Sequence, residues 1–66
     1  MSASNYVHID VDEIKAVSEK AMLVSVDGEE VWIPLSQIAD HEDYSPGGKD
    51  LTLSVTEWIA RQKGLL

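Results

Sequence analysis

Residues 21–38 read AMLVSVDGEEVWIPLSQI, and the order of residue types in that stretch decides the architecture. Asp27-Gly28 stands between two runs rich in apolar and β-branched residues. A two-residue hairpin loop of type I′ needs positive φ at both central positions, which Asp tolerates and Gly adopts freely. With those residues as the loop, Val26 faces Glu29, Ser25 faces Glu30, Val24 faces Val31, Leu23 faces Trp32 and Met22 faces Ile33. One face then collects Met22, Val24, Val26, Val31 and Ile33, while the other pairs Leu23 with Trp32. A slip of one residue would exchange these faces, so the agreement carries information. A four-residue loop, Asp27 to Glu30, is the competing register. Pro34 has no N–H for a ladder, so the second strand should end there or lie at an edge. Leu35-Ser36-Gln37-Ile38 then reads as a short helical turn that drops Leu35 and Ile38 onto the core. Apolar groups on both faces imply a ribbon bent over a core, as in a small barrel.

The flanking segments extend this plan. Residues 1–5 are small and polar and are expected to fray. Tyr6 to Val11 alternates with period two, which predicts a strand. Asp12-Glu13 interrupts the alternation. Beyond it, residues 11–20 read either as a short helix or as a resumed strand with Ile14 and Ala16 on one face; strand is preferred. Residues 39–50 form an acidic loop that Pro46-Gly47-Gly48 keeps irregular and that Tyr44 should pin down. Leu51-Thr52-Leu53 predicts a brief strand with both leucines facing in. Ser54 and Glu57 have capping-box spacing, which predicts a helix from about Val55 to Lys63. Val55, Trp58 and Ile59 would share its buried face, Glu57 and Arg61 would pair four residues apart, and Gly64 would end it. Leu65-Leu66 should fold back after the cap. The fold class is therefore α+β: a single domain, residues 1–66, with a small curved antiparallel sheet or SH3-like barrel of three to five strands and one C-terminal helix.

Composition bounds the function. Twelve Asp and Glu against five Lys and Arg give a formal charge of −7 on 66 residues. Duplex DNA binding works by neutralising phosphates with cations, so direct nucleic-acid binding is disfavoured, as is an anionic membrane. The same charge favours solubility or a basic partner surface. Cysteine is absent, which removes disulfides and thiolate metal sites and fits a reducing cytoplasm. The first residues lack a basic segment followed by an apolar run, so no signal peptide is expected.

Candidate sites are few. His8, Asp10 and Asp12 alternate on one strand and could point the same way toward a divalent metal, but a solvated strand face explains them more simply. His41-Glu42-Asp43 could supply a base or a ligand, and exposure in an acidic loop is again the simpler explanation. Residues 40–50 lack the spacing of a calcium loop. No serine has a nucleophile-elbow setting and no glycine-rich phosphate loop is present, so no enzyme activity, catalytic residue, metal or cofactor is expected. Trp58 reads as core. Trp32 divides evenly between core and binding platform.

The pattern Lys20-Ala21-x-Leu23-Val24-x-x-Asp27-Gly28-x-Glu30-Val31-Trp32-Ile33-Pro34-x-Ser36-Gln37-Ile38, followed by Glu57-Trp58-Ile59-Ala60-x-x-Lys63-Gly64-Leu65, resembles small proteins encoded by phages, prophages and other mobile elements. The resemblance spans most of residues 20–38 and 51–65. It implies a genomic setting in which small acidic proteins inhibit host defence, including anti-CRISPR and anti-restriction proteins, some of which mimic nucleic acid. On that reading Asp10, Asp12, Glu13, Glu29, Glu30, Asp40, Glu42 and Asp43, with Trp32, would meet a basic surface of a host protein or nucleoprotein complex in a bacterial cytoplasm. A homodimer is left open. The rival reading is an SH3-like module that binds protein or nucleic acid through Trp32 and its neighbours.

Overall fold

A computed structural model describes residues 5–65. The elements, in chain order, are β1 (Tyr6–Val17), β2 (Ala21–Val26), β3 (Glu29–Pro34), a 3-10 turn over Leu35–Gln37, a second over His41–Asp43, β4 (Lys49–Thr56) and α1 (Glu57–Gln62). The strands form one antiparallel sheet in the order β3-β2-β1-β4. It is a small curved α+β fold.

The β2–β3 register runs from Val26↔Glu29 to Ala21↔Pro34, as the two-residue loop requires. Asp27 and Gly28 both have positive φ, 52° and 83°. The four-residue loop is thereby excluded: Glu29 and Glu30 lie inside β3. Met22, Val24 and Ile33 are fully buried, and Val26 and Val31 pack against them. Leu35 and Ile38 join that core.

Residues 11–17 are strand, and β1 runs unbroken through Asp12-Glu13. Val11 and Ile14 are both buried, and simple alternation cannot place residues three apart on one face. The alternation is broken between them, with Asp12 exposed and Glu13 half-buried. A bulge then lies between Ile14, which pairs with Val24, and Ala16, which pairs with Leu23. An extra residue re-aims the side chains beyond it. Ile14 and Ala16 consequently face opposite sides of the sheet, correcting the expectation that they share one.

The long β1 serves two partners. Tyr6 to Glu13 pairs with β4, and Glu13 to Val17 pairs with β2. Ile38, downstream of β3, bridges Val55 on the outer edge of β4, and Ala39 N–H donates to Ser54 C=O at 2.8 Å. The chain leaving one edge of the sheet thus reaches round to the other, which curls the sheet toward a barrel.

The C-terminal helix is shorter than predicted and starts later. Thr56, not Ser54, is the N-cap: its Oγ1 accepts from the Ile59 N–H at 3.2 Å. Ser54 and Val55 continue β4, which pairs with β1 right up to Thr56. Strand pairing wins over a local capping signal there, and the two-residue delay rotates the helix. Ile59 and Ala60 are buried and Trp58 is 61% exposed, correcting its assignment to the core. Glu57 pairs with Arg61 as expected. Gly64, at φ 69°, ends the helix. Gly64 N–H bonds to Arg61 C=O and Leu65 N–H to Ala60 C=O, the paired bonds of a Schellman end. Leu65 packs on the core. Asn5 is held through its C=O, which accepts from Glu57 N–H at 2.8 Å. Fraying of residues 1–4 and the placement of Leu66 lie outside the described residues.

Candidate functional site

The outer face of the sheet is built by parity. On β1, Tyr6, His8 and Asp10 alternate with the buried or half-buried Val7, Ile9 and Val11, and are followed by the exposed Asp12 and the half-buried Glu13. On β4 the matching positions are Thr56, Ser54 and Thr52, opposite Tyr6, His8 and Asp10. Polar contacts tie the two strands together: Thr52 Oγ1 donates to Asp10 Oδ1 at 3.4 Å, and Ser54 Oγ lies 2.9 Å from His8 Nδ1. The serine–histidine pair is exposed to solvent, where it works as a lateral tie. Asp12 Oδ2 accepts from Gly28 N–H at 3.3 Å, which docks the hairpin turn against β1.

Glu13, Ser25 and Glu30 form one row across β1, β2 and β3. Neighbouring strands are about 4.8 Å apart, so the backbones of Glu13 and Glu30 are separated by roughly 10 Å. The adjacent outward row is apolar: Ala16, Leu23 and Trp32. Trp32 is 47% exposed, and the sheet beneath it cannot enclose it. Carboxylates and an open indole therefore share one face. Two cations flank Glu13: Lys15 Nζ lies 3.4 Å from Glu13 Oε1, and Lys49 is Glu13's partner on β4.

The remaining predicted residues are placed elsewhere. Glu29 has the opposite parity to Glu30. It lines a cleft of about 250 Å³ between the β2–β3 hairpin and the chain end, together with Val26, Asp27, Val31, Lys63 and Leu65. Asp40, Glu42 and Asp43 are exposed on the segment that follows Ile38. That segment runs along the outer edge of β4, held by the Ala39–Ser54 bond and by Tyr44, whose hydroxyl donates to Thr52 C=O at 3.4 Å. The loop acids are thus one strand removed from Asp10. Register puts Asp10 on the outer side of β1 and Glu30 and Trp32 on that of β3, with Asp12 exposed and Glu13 half-buried on β1 between them; Asp40, Glu42 and Asp43 lie beyond β4, and Glu29 lines the cleft. The loop is also shorter than predicted, since Lys49 and Asp50 belong to β4.

Among the described residues no three His, Cys, Asp or Glu side chains come together as a metal site, and no helix is long and apolar enough to cross a membrane. Neither the cleft nor the polar column of Thr52, Ser54 and Thr56 stands out from the pattern of the sequence alone. The column is legible as a period-two polar pattern, but the capping-box spacing of Ser54 and Glu57 competes with it.

An aromatic plane beside carboxylates suits a cation with a flat or apolar stem. A guanidinium can stack on the indole while its N–H groups meet a carboxylate such as Glu30. Comparison with known protein families, with curated proteins and with solved structures returned no match.

Proposed function

We propose that this chain is a non-catalytic inhibitor that offers its acidic sheet face to the basic surface of a host nucleic-acid-binding defence complex, of the anti-CRISPR or anti-restriction kind, in a bacterial cytoplasm. The observation that supports the reading is the outward parity of Asp10 on β1 and Glu30 on β3, with Trp32 half-exposed on the same side of β3. Lys and Arg tracks built for phosphates attract a matched array of anions. The resemblance to small mobile-element proteins supplies the setting. The chain's own part is to bind and to occlude.

Titration into such a complex should displace its nucleic acid at low salt and lose potency steeply as salt rises. Replacing Asp10, Asp12, Glu13 and Glu30 by Lys should abolish displacement. Potency independent of salt would sink the proposal. The 47% exposure of Trp32 supports a second reading, a binding module centred on that side chain. On that reading Trp32→Ala would abolish binding and the charge reversals would not.

A further inference from the structure

The two edges of the sheet are unequal. The outer edge of β4 is covered by Ile38, Ala39 and Tyr44. The outer edge of β3 has no backbone or side-chain hydrogen bond to any other described residue. Which groups it offers is set by the turn. In a two-residue hairpin the flanking pair, Val26 and Glu29, exchanges both ladder bonds, and alternate pairs repeat this. Val24 with Val31 and Met22 with Ile33 are then the bonded pairs. The bond from Leu35 N–H to Lys20 C=O, 2.8 Å, keeps the same phase. Glu30 and Trp32 therefore turn their N–H and C=O groups outward, along with the C=O of Pro34. Pro34 occupies a position where a missing N–H leaves the β2 ladder intact.

We infer that this edge receives an extended, cation-bearing segment of a partner protein as a fifth strand. The inference rests on the cationic-partner reading above for its charge and adds to it a backbone mode of recognition. Strand addition draws affinity from main-chain bonds and selectivity from the places where alternate side chains land. Here both landing places are present. Side chains opposite Glu30 and Trp32 would lie on the outer face, between a carboxylate and an indole. Side chains opposite Glu29 and Val31 would lie over the cleft, whose lining combines Val26, Val31 and Leu65 with Asp27, Glu29 and Lys63. A Lys or Arg with its apolar stem fits the outer place between Glu30 and Trp32, and an apolar side chain fits over Val26, Val31 and Leu65 in the cleft. Charge selects the occupant. Glu29, Glu30 and Pro34 are residues that blunt an edge against unwanted pairing. A second copy of this chain would bring together two molecules of formal charge −7, whereas a basic strand is attracted.

The test uses the full chain and a blocked hexapeptide alternating Lys and Val, followed by NMR. Binding should slow amide exchange at Glu30 and Trp32, and Glu30→Pro should weaken it about tenfold more than Glu30→Gln, which removes the same charge but keeps the N–H. The amides of the native protein decide the matter even if the proline variant does not fold. Peptide shifts at Asp10 and Asp12 with Glu30 and Trp32 amides unprotected would overturn strand addition while leaving the acidic-face reading standing. So would equal affinities of the two variants, or no binding at all. Equal binding of a Thr-Val peptide would overturn the cationic occupant. Amides already protected in the free protein in a concentration-dependent way would assign the edge to a second copy instead.

Discussion

The Asp12 carboxylate accepts a hydrogen bond from the backbone N–H of Gly28, 3.3 Å away and 16 residues along the chain. It joins β1 to the turn that sets the β2–β3 register. Asp12→Asn keeps an oxygen acceptor there and Asp12→Ala does not. The alanine variant should lose roughly 0.5 kcal/mol relative to asparagine, since the bond is exposed. Urea midpoints measure the difference, and identical midpoints would show that this contact adds nothing to the stability of the fold.

The position of the helix start is tested at two hydroxyls. Thr56→Ala should cost about 1 kcal/mol, because Ile59 N–H loses its acceptor and the contact with Gln37 Oε1 at 2.6 Å goes as well. Ser54→Ala should cost less, as it loses only the tie to His8. Thermal unfolding of both variants decides it: a larger loss at Ser54 would restore the earlier cap.

Leu53 and Trp58 should behave oppositely under truncation. Leu53 is fully buried in β4, so Leu53→Ala should cost on the order of 2–5 kcal/mol. Trp58, though larger, should change stability by about 0.5 kcal/mol or less on conversion to alanine. Chemical denaturation of the two variants checks the ranking, and a severe loss at Trp58 would return it to the core.

Acid should release one ion pair in a predictable direction. The Arg61 hydrogen bond, reinforced by its charge, holds the Glu57 carboxyl below its usual range. A lowered carboxylate pKa stabilises the fold above the unfolded-state value, and the benefit fades as pH falls through the folded-state value. Arg61→Met should raise the Glu57 midpoint in an NMR titration. Native and variant stabilities should converge in acid. An unmoved midpoint would show that Arg61 does not act on Glu57 in solution.

The hairpin is legible in the sequence because three independent signals coincide at residues 22–34: turn chemistry, alternation and a terminating proline. The bulge at Ile14–Ala16 is not, since nothing in Ile-Lys-Ala marks an extra residue; it shows only in the pairing of β1 with β2. The helix start is hidden for a related reason. Ser54 and Thr56 are both competent caps, and the choice between them is made by pairing with β1, some 46 residues away in the case of Ser54 and His8. The acidic residues are identifiable as a set, but their division between outer face, cleft and loop depends on parity within β3 and on the path of the chain after Ile38. The exposure of Trp58 depends on a helical phase that the same long-range pairing sets, so local spacing alone places it wrongly in the core.

Tyr6 pairs with Thr56 and Val11 with Leu51, so β1 must wait for β4 before its pairing is complete. The β2–β3 ribbon depends only on local pairing, but one flank of β1 stays bare until residues 49–56 arrive. A nascent chain that stalls before Lys49 would hold Ile9 and Val11 out to any chaperone at the exit tunnel. The closing of the sheet is thereby tied to the arrival of β4, a pairing between distant segments of the chain.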